Sequence, residues 1–156
     1  MIKYFLSCIL TCFLFSCKQA EKTSTRGLIS KQAMVVSARA EASKIGSDIL
    51  KKGGNAFDAM CATQLALAVA YPYAGNIGGG GFMVYRKANG DIGSIDFREK
   101  APLAATKDMY LDENGDVIPE KSTLGAMAVG VPGTVAGIFE VHEKLGSLPI
   151  KDIIKE

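Results

Sequence analysis

Apolar and polar residues follow one another in blocks that predict a strand, two helices, a hairpin and two further helices. The β-branched apolar run 34–37 predicts a short buried strand. Apolar residues at helical spacing predict a helix over 40–52. Residues 56–70 are rich in alanine and carry no charge after Asp58, so they predict a helix that is buried on most of its sides.

Polar residues and glycines predict where these two helices end and begin. Gly53 follows Lys51 and Lys52, and glycine is favoured directly after the last turn of a helix. Asn55 precedes the second helix with Asp58 three residues later, much like a capping box. The boundary between the two helices is therefore predicted from local chemistry alone.

Turn residues also organise the second half of the chain. Asn89-Gly90 predicts a tight hairpin turn between strands over 82–86 and 92–97. Pro132 suits the first position of a helix that Gly146 ends.

The last predicted helix begins at Pro149 and carries three isoleucines on one face. Helices next to an antiparallel hairpin predict a layered α+β fold.

The first 17 residues have the pattern of an export signal. Lys3 precedes twelve residues, 4–15, that are apolar apart from one serine and one threonine. A helix needs about 20 residues to span a bilayer, so this run suits the apolar core of a signal peptide instead. The stretch ends in Leu14-Phe15-Ser16-Cys17, which resembles the lipobox of bacterial lipoproteins. The resemblance implies cleavage before Cys17 and a lipid on Cys17; an ordinary signal peptide and a buried first helix are the alternatives.

These features divide the chain into three parts. Residues 1–16 form the predicted lipoprotein signal peptide, residues 17–32 a polar tether and residues 33–156 the folded part. The protein is then expected to be exported and lipid-anchored to the cell membrane or outer membrane, facing the periplasm or the exterior. Once Cys17 is acylated, Cys61 has no cysteine partner in the mature chain.

Composition narrows the function classes. Hydrophobic residues make up 48% and charged residues 22% of the 156 residues, which is typical of a globular protein. The formal net charge is only +2 and no basic residues cluster, so nucleic acid is not an expected partner. The cysteine spacing contains no zinc motif, and no metal or cofactor is predicted.

Glycines at 78–81 form the longest run of one residue type. A phosphate-binding loop would need Gly-Lys and then Ser or Thr before a helix, whereas here Phe82 begins a strand. A dinucleotide-binding motif has a strand before it and a helix after it, which is the reverse of the order here. We therefore expect backbone that passes very close to another segment or adopts a positive φ.

Two polar candidates favour structural roles. His142 is the only histidine, and neither a zinc-protease motif nor a nucleophile elbow accompanies it, so it is predicted to face solvent on a helix. Asp112, Asn114 and Asp116 begin like a calcium loop, but the sixth position is Val117 and not glycine. A polar turn is predicted there instead.

Arg98 is the strongest candidate for ligand binding. It follows the end of an apolar strand, in Asp96-Phe97-Arg98-Glu99. A guanidinium can hold a carboxylate with two parallel hydrogen bonds, which a lysine cannot match. A structural ion pair with a neighbouring carboxylate is the alternative. The spacing of those two carboxylates does not establish a glycosidase pair.

Four sequence words together resemble the γ-glutamyltransferase (γ-glutamyl transpeptidase) family. In family order and spacing they are Lys52-Gly53-Gly54-Asn55-Ala56-Phe57-Asp58-Ala59, Gly75-Asn76-Ile77-Gly78-Gly79-Gly80-Gly81-Phe82-Met83, Asp96-Phe97-Arg98-Glu99-Lys100-Ala101-Pro102 and Val131-Pro132-Gly133-Thr134-Val135-Ala136-Gly137. The resemblance runs from about Met34 to the end. Lys100 and Ala40-Glu41 depart from the family pattern, and neither departure touches a catalytic role.

The resemblance implies an N-terminal nucleophile hydrolase with a four-layer αββα sandwich, of which this chain would be the front part of the large subunit. Such an enzyme is a precursor that cuts itself into a large and a small subunit. The N-terminal Thr of the small subunit then attacks γ-glutamyl compounds such as glutathione, and the γ-glutamyl group passes to water or to an acceptor amino acid or peptide. Arg98 matches the family arginine that binds the α-carboxylate of that group, and Glu99 would orient it.

By the same resemblance, the catalytic threonine lies outside this chain. None of Thr63, Thr106, Thr123 and Thr134 stands in the processing context of the family. We expect the chain by itself to be inactive, and its end in an apolar helix face favours a truncated chain. Two alternatives stay open: a relative acting on cephalosporin side chains or polyglutamate, and a non-catalytic surface lipoprotein.

Overall fold

The computed structural model describes residues 27–155. The predictions on the signal peptide, on Cys17 and on most of the tether lie outside the described residues. Residues 27–32 contain no helix or strand. The chain divides into a unit that ends at Lys31 and a compact unit that begins at Gln32. The predicted boundary at residue 33 falls next to this division.

Two packed helices form the first part of the compact unit. Helix α1 is Ala40–Lys51 and helix α2 is Ala56–Ala70, as predicted. Glycine lets them approach each other closely, because a Cβ on Gly46 would lie 3.2 Å from the carbonyl oxygen of Ala59. The small residues of α2 therefore serve packing between layers.

The connection between α1 and α2 has the predicted chemistry. Gly53 has a φ of +93°, its N–H donates to Leu50 O at 3.1 Å, and the N–H of Gly54 donates to Ile49 O at 3.0 Å. This pair of bonds is the Schellman ending of a helix. Asn55 Oδ1 then accepts from the backbone N–H of Phe57 and Asp58, and Asp58 returns a bond to the N–H of Asn55, which completes the capping box.

A hairpin follows a short helix, α3 (Pro72–Gly75). Strands β1 (Phe82–Arg86) and β2 (Ile92–Asp96) pair antiparallel, with Phe82 opposite Asp96 and Arg86 opposite Ile92. The turn is where Asn89-Gly90 predicts it, and Gly90 has a φ of +96°. The hairpin is therefore confirmed, with β2 one residue shorter than predicted.

The rest of the chain contains a 3₁₀ turn, Ala126–Ala128, and the helices α4 (Thr134–Leu145) and α5 (Ile150–Ile154). Helix α4 ends before Gly146 and α5 follows Pro149, as predicted. The prediction of Pro132 as the first helical residue is wrong by two positions. Backbone pairing between Val131 and Lys100 keeps the chain extended there, so the helix starts only after Gly133.

Residues 34–37 were predicted as a strand, and this prediction is wrong for the part of the chain that the structure describes. The segment contains no helix or strand, and Val36 is 80% exposed. Among residues 27–155 the sheet contains only β1 and β2, which pair with each other. A strand needs a neighbouring strand to take its backbone hydrogen bonds, and the pattern of side chains cannot supply one.

The core lies between α1, α2, α4 and α5. Its largest fully buried side chains include Ile49, Ile138, Val141 and Ile153. Helix α2 is buried only along its first half, whereas Val69 near its end is 84% exposed. The prediction of burial on most sides is therefore wrong for the second half of α2, because the described residues place no layer over that face. No helix within residues 27–155 is long and apolar enough to cross a bilayer.

Candidate functional site

Three segments that are distant in sequence meet around Arg98. Strand β2 continues past its end by one further pair: Phe97 N–H donates to Gly81 O at 3.0 Å, and Gly81 N–H donates to Phe97 O at 3.3 Å. The start of α4 joins the same place, because the N–H groups of Gly133 and Thr134 both donate to Gly79 O, at 2.9 and 3.0 Å. The glycine run, the arginine segment and the start of α4 therefore form one hydrogen-bonded unit.

Arg98 itself is held from both sides along the chain. Its N–H donates to Asp96 Oδ1 at 3.0 Å. Two residues later, Lys100 and Val131 exchange backbone hydrogen bonds of 3.1 and 2.8 Å. The backbone of Arg98 is consequently fixed while its side chain stays exposed.

The glycine run provides close approach and not unusual backbone angles. A Cβ on Gly80 would lie 2.6 Å from Phe97 O and 2.8 Å from Arg98 Cα, distances that real Cβ atoms do not show. A Cβ on Gly81 would lie 2.9 Å from the Phe97 ring. None of the four glycines 78–81 has a positive φ. Of the two explanations that the sequence allows, close approach is therefore the right one.

The guanidinium of Arg98 has no ion-pair partner among the described residues. Asp96 uses a carboxylate oxygen for the backbone N–H of Arg98 and not for its side chain. Glu99 Oε1 lies 3.3 Å from where a Cβ on Gly79 would be, so its carboxylate is turned to the glycine run. Neither the structural ion pair nor the orienting role of Glu99 is present in this part of the chain.

The predicted solvent-facing position of His142 is wrong. The side chain is partly buried, and Nε2 lies 2.7 Å from the carbonyl oxygen of Leu148. The chain turns back at Gly146 and passes over the last turn of α4, which covers the imidazole. His142 therefore links the last turn of α4 to the segment that leads to α5. No sequence motif predicts this contact.

The segment that begins like a calcium loop is the predicted polar turn. Asp112 Oδ1 accepts from the N–H groups of Asp116 at 2.9 Å and Asn114 at 2.8 Å. These two backbone hydrogen bonds, that from Asp116 first, lower the pKa of Asp112. Within residues 27–155 no three His, Cys, Asp or Glu side chains come together as metal ligands.

The four threonines have ordinary structural surroundings. Thr63 is buried in α2 and donates to Ala59 O at 2.7 Å, and Thr123 donates to Glu120 O at 3.1 Å. Thr134 is buried at the start of α4, and Thr106 is exposed in a loop. The hydroxyls of Thr63 and Thr123 thus serve backbone carbonyls of their own segments, which is not the arrangement of an activated nucleophile.

In the sequence Asp58 is recognisable only as part of a helix cap. In the structure it also joins α2 to the connection between α4 and α5. Its side chain is fully buried and accepts from Ser147 Oγ at 2.5 Å and from the N–H groups of Ser147 and Leu148 at 3.0 and 3.3 Å. Asn55 supports the same junction, since its Nδ2 donates to Leu145 O at 2.7 Å. We call these residues, Asn55, Asp58, Ser147 and Leu148, the Asp58 junction.

Burial and hydrogen bonding act on Asp58 in opposite directions. Burial raises the pKa of the carboxyl, but the bonds from Ser147, Asn55 and Leu148 together lower the pKa below its ordinary value. The carboxylate is therefore charged at neutral pH. Among the described residues, hydrogen-bond donors and not a cation stabilise this charge.

Cys61 is buried in the core and is the free cysteine of the described residues. Burial, and then the nearby charge of Asp58, raise the pKa of its thiol to about 12. The thiol lies 3.5 Å from Ile138 O, to which it donates. A thiol with so little thiolate is a structural group.

Comparison with solved structures defines the class of fold. The γ-glutamyltranspeptidase of Helicobacter pylori is 48% identical with a TM-score of 0.79, over 83% of this chain and 37% of that one. A cephalosporin acylase from Bacillus halodurans is 29% identical with a TM-score of 0.68, over 90% of this chain and 26% of that one. The described residues therefore have the fold of the front part of an N-terminal nucleophile hydrolase, in which helices pack against a sheet.

Within this class, the family model of gamma-glutamyltranspeptidase matches residues 42–156. The chain belongs to that family. A glutathione hydrolase proenzyme from Pseudomonas sp. (strain A14) is 50% identical over 152 residues, which is 97% of this chain and 26% of the relative. The chain thus spans about a quarter of the length of this curated relative.

Proposed function

We propose that this chain is the front part of the large subunit of a γ-glutamyltransferase or glutathione hydrolase, and that Arg98 binds the α-carboxylate of the γ-glutamyl group. The observation that carries the proposal is the exposed guanidinium of Arg98 on a backbone held by Asp96, Gly81 and Val131. No carboxylate among the described residues forms an ion pair with this guanidinium. Family membership and the activity for which the Pseudomonas relative is named, glutathione hydrolysis, supply the substrate class.

The chemistry of the substrate explains why an arginine suits this place. A γ-glutamyl amide carries a free α-carboxylate at the end that does not react. A guanidinium fork binds such a group through two parallel charged hydrogen bonds, and a fixed backbone reduces the ordering cost of binding. By holding the α-carboxylate, Arg98 fixes where the γ-carbonyl of the same substrate lies.

The reaction would be completed outside this chain. A γ-glutamyl ester forms on the N-terminal Thr of a small subunit made from the same precursor, with release of the amine, and then passes to water or to an acceptor amino acid or peptide. The contribution of residues 27–155 is substrate binding and a frame for the second subunit. The purified 156-residue chain should not turn over γ-glutamyl-p-nitroanilide.

The test uses a chimera in which residues 33–156 replace the aligned segment of the Pseudomonas relative. Two donors are compared, γ-glutamyl-p-nitroanilide and 4-aminobutanoyl-p-nitroanilide, which lacks only the α-carboxylate. The ratio of their kcat/KM values is here called the carboxylate preference. Arg98→Lys should lower this preference by about tenfold or more, because lysine keeps the charge but loses the fork.

Arg86→Lys is the matched control, since Arg86 is an exposed arginine on β1 away from the site. It should leave the carboxylate preference unchanged. Glutaryl-side-chain cephalosporins and polyglutamate are assayed alongside to test the alternative substrates. A chimera that matures but prefers either of these to the γ-glutamyl donor, or an Arg98→Lys variant with an unchanged preference, contradicts the proposal.

We also propose that the protein is exported and anchored to the cell or outer membrane by a lipid on Cys17. The support is the sequence pattern of residues 1–17. Metabolic labelling with radioactive palmitate should mark the wild-type chain and the Cys12→Ser control but not Cys17→Ser. Equal labelling of both variants would contradict anchoring at Cys17. Labelling without activity in the complete precursor would favour the non-catalytic lipoprotein.

A further inference from the structure

The ring of Phe97, next to Arg98, occupies a space that glycines leave open. A Cβ on Gly137 would lie 2.6 Å from both Cβ and Cδ2 of Phe97 and closer still to its Cγ. A Cβ on Gly81 would lie 2.9 Å from Cε2. A Cβ on Gly133 would overlap the carbonyl oxygen of Phe97. We call the space bounded by Gly81, Gly133 and Gly137 the Phe97 socket.

Glycine has a cost at the position that contributes most to this socket. Gly137 lies inside helix α4 and is buried, and glycine weakens a helix interior relative to alanine. The backbone conformation does not require glycine at position 137, since the φ of Gly137 is not positive. The reason for glycine at position 137 is therefore steric, because even a methyl group there would push the Phe97 ring aside.

The socket controls the backbone from which Arg98 extends. The ring is fixed by the socket, and the Phe97 backbone by two hydrogen bonds to Gly81. Arg98 Cα sits against Gly80, at 2.8 Å from where a Cβ would be. The close packing of Phe97 and of Arg98 Cα against these glycines therefore links the position of the ring to that of Arg98 Cα.

We propose that Phe97 and its glycine socket position Arg98 for the α-carboxylate, so that Phe97 acts through Arg98 without touching substrate. The inference rests on the proposed function of Arg98. Misplacement of a binding group by about 1 Å costs up to about a hundredfold in rate. The socket therefore sets how strongly the enzyme prefers donors that carry the α-carboxylate.

The test is Gly137→Ala in the chimera, with Ala136→Ser as control. Ala136 is the adjacent, exposed residue of the same helix, so the control adds an atom outside the socket. Gly137→Ala should lower the carboxylate preference by about tenfold, mainly through KM for the γ-glutamyl donor, while the 4-aminobutanoyl donor is turned over as in the parent. An equal loss for both donors would indicate a merely structural role and overturn the proposal.

A second variant decides the case in which Gly137→Ala does not mature. Phe97→Ala removes Cγ and Cδ2, the two ring atoms that lie nearest to a Cβ at position 137, and the double variant Phe97→Ala/Gly137→Ala gives the new methyl group their space. The socket predicts that the double variant matures better than Gly137→Ala alone. A double variant that is no better overturns the steric fit.

The parent chimera separates this inference from the function on which it rests. If the parent has no carboxylate preference, or if Arg98→Lys does not change it, the proposed role of Arg98 fails and the positioning role with it. If Arg98→Lys lowers the preference but Gly137→Ala and Phe97→Ala do not, only the positioning role fails.

Discussion

Asp58 is a buried carboxylate whose charge is met by four donor groups and no cation. Removing such an acceptor leaves several buried donors unpaired, which costs more than the net gain of any one bond. In the chimera, Asp58→Asn should therefore lower the free energy of opening of helix α2 by about 1–3 kcal/mol, measured by hydrogen exchange of its amides. Asp108→Asn, an exposed aspartate with no side-chain hydrogen bond in the described structure, is the control and should change little.

The same residue gives a pH dependence with a defined sign. Because the pKa of Asp58 is lower in the folded chain than its ordinary value of 3.8, the charged junction stabilises the fold above that value. The stabilisation is lost as the pH falls from about 4 through the folded pKa. Wild-type α2 amides should therefore lose protection below about pH 4 more steeply than those of Asp58→Asn. Parallel pH profiles would contradict this.

Cys61 offers a chemical probe of the core. With its thiol buried and its pKa raised to about 12, it should react with a thiol reagent at pH 8 only when the core opens. The experiment uses the chimera that carries residues 33–156, with Cys61→Ser to give the background, and follows the release of thionitrobenzoate. Ser94→Cys on the exposed face of β2 is the positive control and should react at once. A fast reaction at Cys61 would place it outside the core.

At the scale of elements, the connection between α1 and α2 can be tested at a single dihedral angle. Gly53 has a φ of +93°, and a Cβ there would meet nothing within 4 Å, so only backbone strain opposes a side chain. Gly53→Ala should destabilise the end of α1 by about 1 kcal/mol. Gly53→Asn should cost less, because asparagine tolerates this conformation. Exchange of the Gly54 amide, which donates to Ile49, measures both; equal effects would contradict the reasoning.

Short-range chemistry explains which elements the sequence predicts well. The C-terminal end of α1, the cap of α2 and the hairpin turn depend on residues at most five apart, and the structure confirms the prediction of all three. The sequence also predicts that the glycine run passes close to another segment, which the structure confirms. The binding role of Arg98 stays a prediction. That this other segment is Phe97-Arg98 depends on pairing across the fold.

Long-range contacts explain which predictions are wrong and which contacts the sequence does not predict. Residues 34–37 have a strand pattern but no neighbouring strand in the described structure. His142 is covered by Leu148 only because the chain turns back at Gly146. The bond from Ser147 to Asp58 joins residues 89 positions apart. Composition and periodicity carry no information about such partners.

At the scale of the whole molecule, two apolar surfaces have no cover within residues 27–155. One face of the hairpin exposes Phe82, Val84 and Ile92 at 66%, 84% and 79%, and the end of α2 exposes Val69 at 84%. A two-stranded hairpin is marginally stable without further layers. We expect residues 17–156 alone to bind a hydrophobic dye and to melt without a sharp transition. A single cooperative transition without dye binding would contradict this.

The 89 positions between Asp58 and Ser147 also set an order of events on the ribosome. At about 5–20 residues per second, roughly 4–18 s separate the synthesis of the carboxylate from that of its partner. Throughout this interval Asp58 has only its local cap, and its link to the α4–α5 connection is still unmade. A nascent chain therefore cannot complete the Asp58 junction until nearly all of residues 27–155 have been synthesised.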